Sequence, residues 1–126
     1  MNRTVSTIVF LLLLLSVSAF ALNVRSVKAA ETVYIRSDGS VYPSTAPIQR
    51  DGDLYTLTGD INAIGYGIII ERSNMIVDGA GHAIQKTDFS DGDGVSISGV
   101  SNVTLKALSI RGFRIGIWIS NSLGSR

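Results

Sequence analysis

The sequence predicts an all-β fold in which short strands wind into a parallel solenoid, and two observations support this. First, a strand-like segment repeats, because Gly67–Ile70 is matched by Gly94–Ile97 and again by Gly116–Ile119. Second, the repeat is short: its glycines lie 27 and then 22 residues apart (67 to 94, 94 to 116). A period in the twenties is typical of solenoids, whose coils bury their apolar faces on one another.

The second repeat shows the alternation that such a coil needs. Apolar side chains take every other position, and Ser, Thr, Lys and Arg take the positions between them. This pattern predicts three short strands per coil, each with its apolar side in a narrow core. Each buried Ile, Val or Leu contributes about 1.5–3 kcal/mol. The predicted inward positions are Val95, Ile97, Val103, Leu105, Leu108 and Ile110.

Strand boundaries follow from β-rich runs that end at Gly, Asp, Asn or Ser. The segment with Pro43 and Pro47 is predicted to be an irregular surface loop, and Asp78–Gly81 a corner between strands. The predicted strands are Thr32–Arg36, Leu54–Leu57, Gly67–Glu71, Met75–Val77, Ala83–Gln85, Gly94–Ser98, Val103–Lys106, Leu108–Arg111 and Ile115–Ser120.

The amino-terminal segment has the layout of a secretory signal. Arg3 is followed by an uncharged run over residues 4–24, and small residues come next, with cleavage favoured after Ala29. The alternative is an uncleaved anchor, because about 20 apolar residues span a bilayer. Arg25 and Lys28 would then lie outside, which the positive-inside rule disfavours. The sequence therefore predicts a secreted or cell-surface protein, with a membrane-anchored protein as the alternative.

Composition excludes several classes of function. The 126 residues contain no cysteine, so disulfide frameworks and thiol nucleophiles are excluded. Residues 30–126 hold eight basic and ten acidic residues, a net charge of −2. Nucleic acid is not an expected partner, because phosphate binding needs a clustered basic surface.

Two asparagines occupy the same position in successive repeats. Asn74 and Asn102 each follow a serine and precede a strand. Asparagine tolerates the left-handed conformation and bonds to nearby backbone. The pair is predicted to form an asparagine ladder from coil to coil, and the alternative is two ordinary turn residues.

The repeat Gly94–Gly112 resembles the coils of pectin-lyase-like parallel β-helix proteins. Ile70–Gly81 resembles the opening coil of the NosD-type and carbohydrate-binding/sugar-hydrolysis subgroup, and Tyr34–Ser40 with Thr45–Ile48 resembles the lead-in of its archaeal members. The resemblance spans residues 32–120. It implies a right-handed single-stranded β-helix that is often secreted.

The resemblance leaves function open, because this fold supports lyases, hydrolases, epimerases, adhesins and maturation factors. The expected function is a non-catalytic module that binds glycan or builds the cell envelope. One alternative is the amino-terminal part of a polysaccharide lyase, hydrolase or epimerase. Another is a NosD-like periplasmic copper-site maturation factor. No catalytic residue of the family can be matched, and Arg111 and Arg114 have no paired carboxylates in register.

Three aspartates form the densest group of potential ligands. Asp88, Asp91 and Asp93 predict either a calcium site or, more simply, a solvated loop between coils. Two carboxylates could also serve sugar chemistry. The EF-hand spacing is not met, and no other cofactor is expected.

Two further residues are candidates for a site. Trp118 lies between Ile117 and Ile119, so its ring is predicted to face outward as a sugar-stacking platform, or to be covered by other parts of the protein. His82, the only histidine, aligns with Leu108 and is predicted to face inward in a structural role. Polysaccharide or cell-envelope glycan is the expected partner.

The domain organisation is predicted as three segments. Residues 1–29 are the signal or anchor, 30–66 amino-terminal cap strands and loop, and 67–126 the first β-helix coils. The third repeat, Ile115–Ser120, lacks its second and third strands, so truncation at the carboxyl terminus is expected. The open coil would expose apolar side chains and strand edges, which predicts self-association there.

Overall fold

Strands dominate residues 30–126, the part of the chain that the computed structural model describes, and no helix occurs among them. Within residues 30–126, twelve strands follow one another, most of them three to six residues long. They are β1 (Val33–Ile35), β2 (Val41–Tyr42), β3 (Ile48–Asp51), β4 (Leu54–Leu57), β5 (Ile61–Ala63), β6 (Ile68–Ile70), β7 (Met75–Asp78), β8 (Ala83–Lys86), β9 (Asp93–Ser98), β10 (Val103–Lys106), β11 (Ser109–Arg111) and β12 (Ile115–Ser120).

The strands stack into three sheets, each built from every third strand of the repeat. The sheet orders are β12-β9-β6-β1-β2, β10-β7-β4-β3 and β11-β8-β5. All pairs between successive coils are parallel, and only the pairs with β2 and β3 are antiparallel. Residues 30–126 therefore form an all-β solenoid of stacked three-strand coils, as the repeat predicts.

The core lies between the three sheets and is made by columns of equivalent residues. Val33, Ile68 and Val95 pair in register along one column and are nearly inaccessible to solvent. Ile84 pairs with Ile61 on one side and Ile110 on the other. Among the predicted inward positions, Val95, Ile97 and Val103 are buried, and Leu105, Leu108 and Ile110 pack against the core while partly exposed.

The parallel stack begins earlier than the predicted boundary at residue 67. β1, β4 and β5 pair in parallel with β6, β7 and β8, so residues 30–66 hold a complete coil as well as a cap. The sequence does not show this coil as a repeat, because an insertion between β1 and β4 makes it longer than the next one. Val33 lies 35 residues before its partner Ile68, compared with 27 from Ile68 to Val95.

The insertion, predicted as an irregular loop, instead contains two short strands. β2 and β3 are the outermost strands of their sheets and pair antiparallel with β1 and β4. Pro43 and Pro47 lie between them, where no ladder hydrogen bond is lost. These two strands cover the edges of the first coil and form the cap.

A buried tyrosine holds the cap to the coil. The Tyr55 ring is fully buried, and its hydroxyl donates to the Gly39 carbonyl at 2.6 Å. Arg72 Nη1 donates to the same hydroxyl at 3.0 Å, and Arg72 Nη2 pairs with Asp53 at 2.6 Å. These contacts tie the turn after β1 to the second coil.

The opposite end of the stack exposes apolar side chains. β12 is the outermost strand of its sheet, and Ile117 and Ile119 are 46% and 48% exposed although they continue the inward columns of Val95 and Ile97. Arg126 exchanges backbone hydrogen bonds with Val103 and Leu105, so the residues that follow β12 run back to the edge of β10. Self-association at this end stays a prediction.

The predicted signal or anchor, residues 1–29, lies outside the described residues. Within residues 30–126 the structure has no helix of the length and apolarity that a membrane span requires.

Candidate functional site

Two adjoining grooves lie at the corner where each coil passes into the sheet that contains β6, β9 and β12. We call them the aromatic groove and the loop groove, and both include Asp91, Gly92 and Arg114. The aromatic groove is further lined by Tyr66, Asp93, Ser96, Ser98, Ile115 and Trp118. The loop groove is further lined by Lys86, Asp88, Phe89, Ser90 and Gly112.

Coil stacking explains why residues far apart in sequence meet in the aromatic groove. Asp93 pairs with Ile115, and its carbonyl accepts a hydrogen bond from the Gly67 amide. Tyr66 and Asp93 therefore occupy one column, immediately before the repeat glycines Gly67 and Gly94. Trp118 pairs with Ser96, three residues further along the same two strands.

Both aromatic rings of this groove are accessible. Trp118 is 48% exposed and Tyr66 is 40% exposed. Trp118 alternates with the inward positions of Ile117 and Ile119, so its ring lies on the outer face of the sheet, where the sequence predicts it. A third ring, that of Phe89, is fully exposed in the loop between β8 and β9. Aromatic rings in such positions offer flat apolar surfaces to a ligand.

The charged side chains of the aromatic groove are free to meet a ligand. Within residues 30–126, the carboxylates of Asp91 and Asp93 and the guanidinium of Arg114 form no hydrogen bond or ion pair. Polar groups without internal partners at the surface of a groove are the groups that orient a ligand.

The loop groove contains a lysine whose side chain is only 6% exposed. Lys86 Nζ donates to the Gly65 carbonyl at 2.8 Å and to Ser90 Oγ at 3.4 Å, and it lies 5.3 Å from the centre of the Phe113 ring. Its ammonium lies 3.5 Å from Asp88 Oδ1. Lys86 therefore fastens the loop of residues 87–92 to the preceding coil.

Asp88 completes this anchor. The pKa of the Asp88 carboxyl is held below its usual range, mainly by hydrogen bonding to Ser90. A backbone hydrogen bond from Gly65 and the positive charge of Lys86 also lower this pKa, whereas desolvation raises it. The carboxylate therefore stabilises the loop in its ionised form.

Replacing Asp88 by asparagine is expected to destabilise the protein at neutral pH but not in acid. A carboxyl whose folded-state pKa is lowered contributes stability above the ordinary aspartate range, and this contribution is lost as the pH falls through the lowered pKa. Urea unfolding of both proteins at about pH 7 and about pH 2 measures the difference. An equal difference at both pH values would contradict the role assigned to the ionised carboxylate.

The three aspartates predicted as a calcium site divide between the two grooves. Asp88 contacts Lys86, Asp93 lines the aromatic groove, and only Asp91 lines both. In the described part of the chain, no three His, Cys, Asp or Glu side chains are placed to hold a metal ion. Calcium binding stays a prediction.

His82 corrects one expectation from the sequence. It precedes Ala83, which pairs with Ser109, so it does take the place of Leu108. Its side chain is nevertheless 37% exposed, with Nδ1 3.5 Å from Asp60 Oδ1. The imidazole therefore points towards Asp60, which belongs to the preceding coil, and Ile84 is the buried side chain that faces the core.

The two asparagines lie at one bend and contact each other. Asn74 and Asn102 both have φ of 57°, and Asn102 Nδ2 donates to Asn74 Oδ1 at 3.1 Å. The left-handed conformation turns the chain between sheets, and the side-chain bond links successive coils. This arrangement lies away from both grooves and supports the fold.

Sequence reasoning found Trp118 and the aspartates, considered Arg114 without assigning it to a site, and assigned neither Tyr66 nor Lys86 to one. Aligning the repeats on their glycines would have placed Tyr66 in the column of Asp93, and Arg114 in that of Gly92. The alternation after Ile84 would have placed Lys86 at an inward position. Arg114, for which the sequence predicts no paired carboxylates in register, lines the aromatic groove together with Asp91 and Asp93.

Comparison with known proteins finds no matching family model, no matching curated protein and no matching solved structure.

Proposed function

We propose that this chain is an exported, non-catalytic β-solenoid that binds glycan through the aromatic groove. The observation that carries the proposal is that two half-exposed rings, Trp118 and Tyr66, line one groove with the partnerless side chains of Asp91, Asp93 and Arg114. The ring faces suit the apolar faces of sugar rings. The carboxylates and guanidinium suit sugar hydroxyls, which both donate and accept hydrogen bonds.

The proposal includes a finer description of the fold. We propose that the coils wind right-handed, as nearly all parallel strand connections do, and that the chain is a pectin-lyase-like β-helix. The support is the stacking of three-strand coils together with the Asn74–Asn102 contact at a bend.

Export is proposed from the amino-terminal sequence alone. Residues 1–29 have the charge and hydropathy pattern of a secretory signal, and a surface or extracellular location would expose the groove to envelope glycan. An uncleaved anchor over residues 4–24 would place the same groove at the membrane surface.

A second candidate is cleavage of the bound polysaccharide. Asp91 and Asp93 line the groove together with Arg114, and paired carboxylates are the groups that glycoside hydrolysis uses. New reducing ends or unsaturated products from a bound glycan would favour this candidate over binding alone. No observation among residues 30–126 favours copper-site maturation, so it is not proposed.

Alanine at Trp118 or at Tyr66 is expected to weaken glycan binding about fivefold to tenfold, because each ring contributes on the order of 1 kcal/mol of stacking. Affinity electrophoresis of the full chain in gels containing each of several glycans measures the change. Tyr42→Ala is the matched control, since Tyr42 is 53% exposed but lines neither groove. Equal retardation of all three variants and the parent would contradict the proposed site.

A further inference from the structure

We infer that the aromatic groove selects glycans that carry free, protonated amino groups and disfavours polyuronates. This inference rests on the proposed glycan-binding function and specifies its ligand class. Two observations support it: the net negative charge of the unpaired side chains in the aromatic groove, and the exposed aromatic rings beside them.

The unpaired charges of the aromatic groove sum to a negative value. Asp91 and Asp93 contribute −2 and Arg114 contributes +1, a net of −1. The nearby Lys86 does not change this sum, because its side chain is 6% exposed and its ammonium lies 3.5 Å from Asp88. A ligand in the aromatic groove therefore meets an excess of carboxylate.

Arg114, the one cation without a hydrogen bond or ion pair among the described residues that line the aromatic groove, is poorly placed to reverse this preference. Arg114 and Asp91 line both grooves together, so an anionic sugar that approaches the guanidinium from either groove also approaches a carboxylate. Like charges brought together in a binding site are unfavourable and suppress the wrong ligand. A uronate would gain from Arg114 and lose at Asp91 and Asp93.

The aromatic rings favour the same ligand class independently of the carboxylates. A ligand cation is attracted to the face of an aromatic ring, most strongly to tryptophan. Trp118, at 48% exposure, and Tyr66, at 40%, are both accessible in this groove. An amino sugar can stack its ring on one aromatic face while its ammonium group contacts a carboxylate or the second ring.

Three oligosaccharides of equal length test the inference: oligomers of glucosamine, of N-acetylglucosamine and of galacturonic acid. Calorimetry with the full chain, at mildly acidic pH and low salt, is expected to show binding about threefold to tenfold tighter for the glucosamine oligomer than for its acetylated, uncharged counterpart, since two exposed ion pairs contribute that much. The galacturonate oligomer should bind most weakly, and added salt should reduce the preference.

The double substitution Asp91→Asn, Asp93→Asn keeps the shape of the groove and is expected to remove the preference. Asp51→Asn makes the same kind of charge change in the cap, outside both grooves, and should leave it intact. Tightest binding of the galacturonate oligomer, or a preference unchanged by the double substitution, would overturn the inference while leaving glycan binding in place. If no oligosaccharide bound and no polysaccharide retarded the chain in gels, glycan binding itself would be refuted.

Discussion

Replacing Gly67 by alanine is expected to destabilise the solenoid by about 3 kcal/mol, a large part of the stability of a small domain. The cause is a steric clash, because the backbone conformation of Gly67 is one that alanine can adopt. A methyl group on Gly67 would collide with the carbonyl oxygen of Gly94 on the next coil and would lie 2.5 Å from Ile84 Cγ2. Neither neighbour can move freely, because one is backbone and the other is a fully buried side chain.

Gly116→Ala is the matched control, because Gly116 is the equivalent glycine of the outermost coil. The nearest atom to its added methyl group is Ile110 Cγ2 at 3.8 Å, an ordinary contact. This substitution should leave stability nearly unchanged or raise it slightly, since alanine has fewer unfolded conformations. Urea unfolding followed by circular dichroism compares the two. Equal stability of both variants would show that the coils do not approach each other at Gly67 as described.

The fold was readable from the sequence where the repeat was undisturbed. From Gly67 onward, alternation and the recurring glycines predicted the strands and their stacking, because one face of every strand must enter a narrow core. Before Gly67 the reading was incomplete. The insertion carrying Pro43 and Pro47 shifted the spacing, so β2, β3 and β5 were missed and the first coil was interpreted as part of the cap.

The candidate site was readable only in part, because it depends on register between coils. Trp118 could be found from its own strand, since its neighbours Ile117 and Ile119 define the inward side. Tyr66 and Arg114 join it only after coils 22 to 27 residues apart are stacked. The exposure of His82 depends on the reach of its imidazole to Asp60, a side-chain geometry that alternation does not describe.

Alanine at Ile84 is expected to cost about 2–5 kcal/mol of stability, as buried isoleucine-to-alanine changes usually do. Ile84 is inaccessible to solvent and lies between Ile61 and Ile110 in the middle strand of its sheet. Ile76→Ala removes the same atoms from a side chain that is 37% exposed on β7, and should cost less than about 1 kcal/mol. Urea unfolding measures both, and equal losses would contradict the assignment of Ile84 to the core.

Ile84→Ala also tests whether a loss of stability in the core changes glycan binding at the aromatic groove. Ile84 lies two residues before Lys86 on β8, so both side chains point to the same side of the strand. The inward packing of Ile84 therefore helps to orient Lys86, which in turn holds the loop of residues 87–92. Ile84 contacts neither groove directly. At a temperature where Ile84→Ala remains folded, glycan affinity should therefore stay within about twofold of the parent, whereas Trp118→Ala should lose affinity with its stability retained. A parallel loss of affinity and stability in Ile84→Ala would instead mean that the groove forms only when the second coil is fully packed.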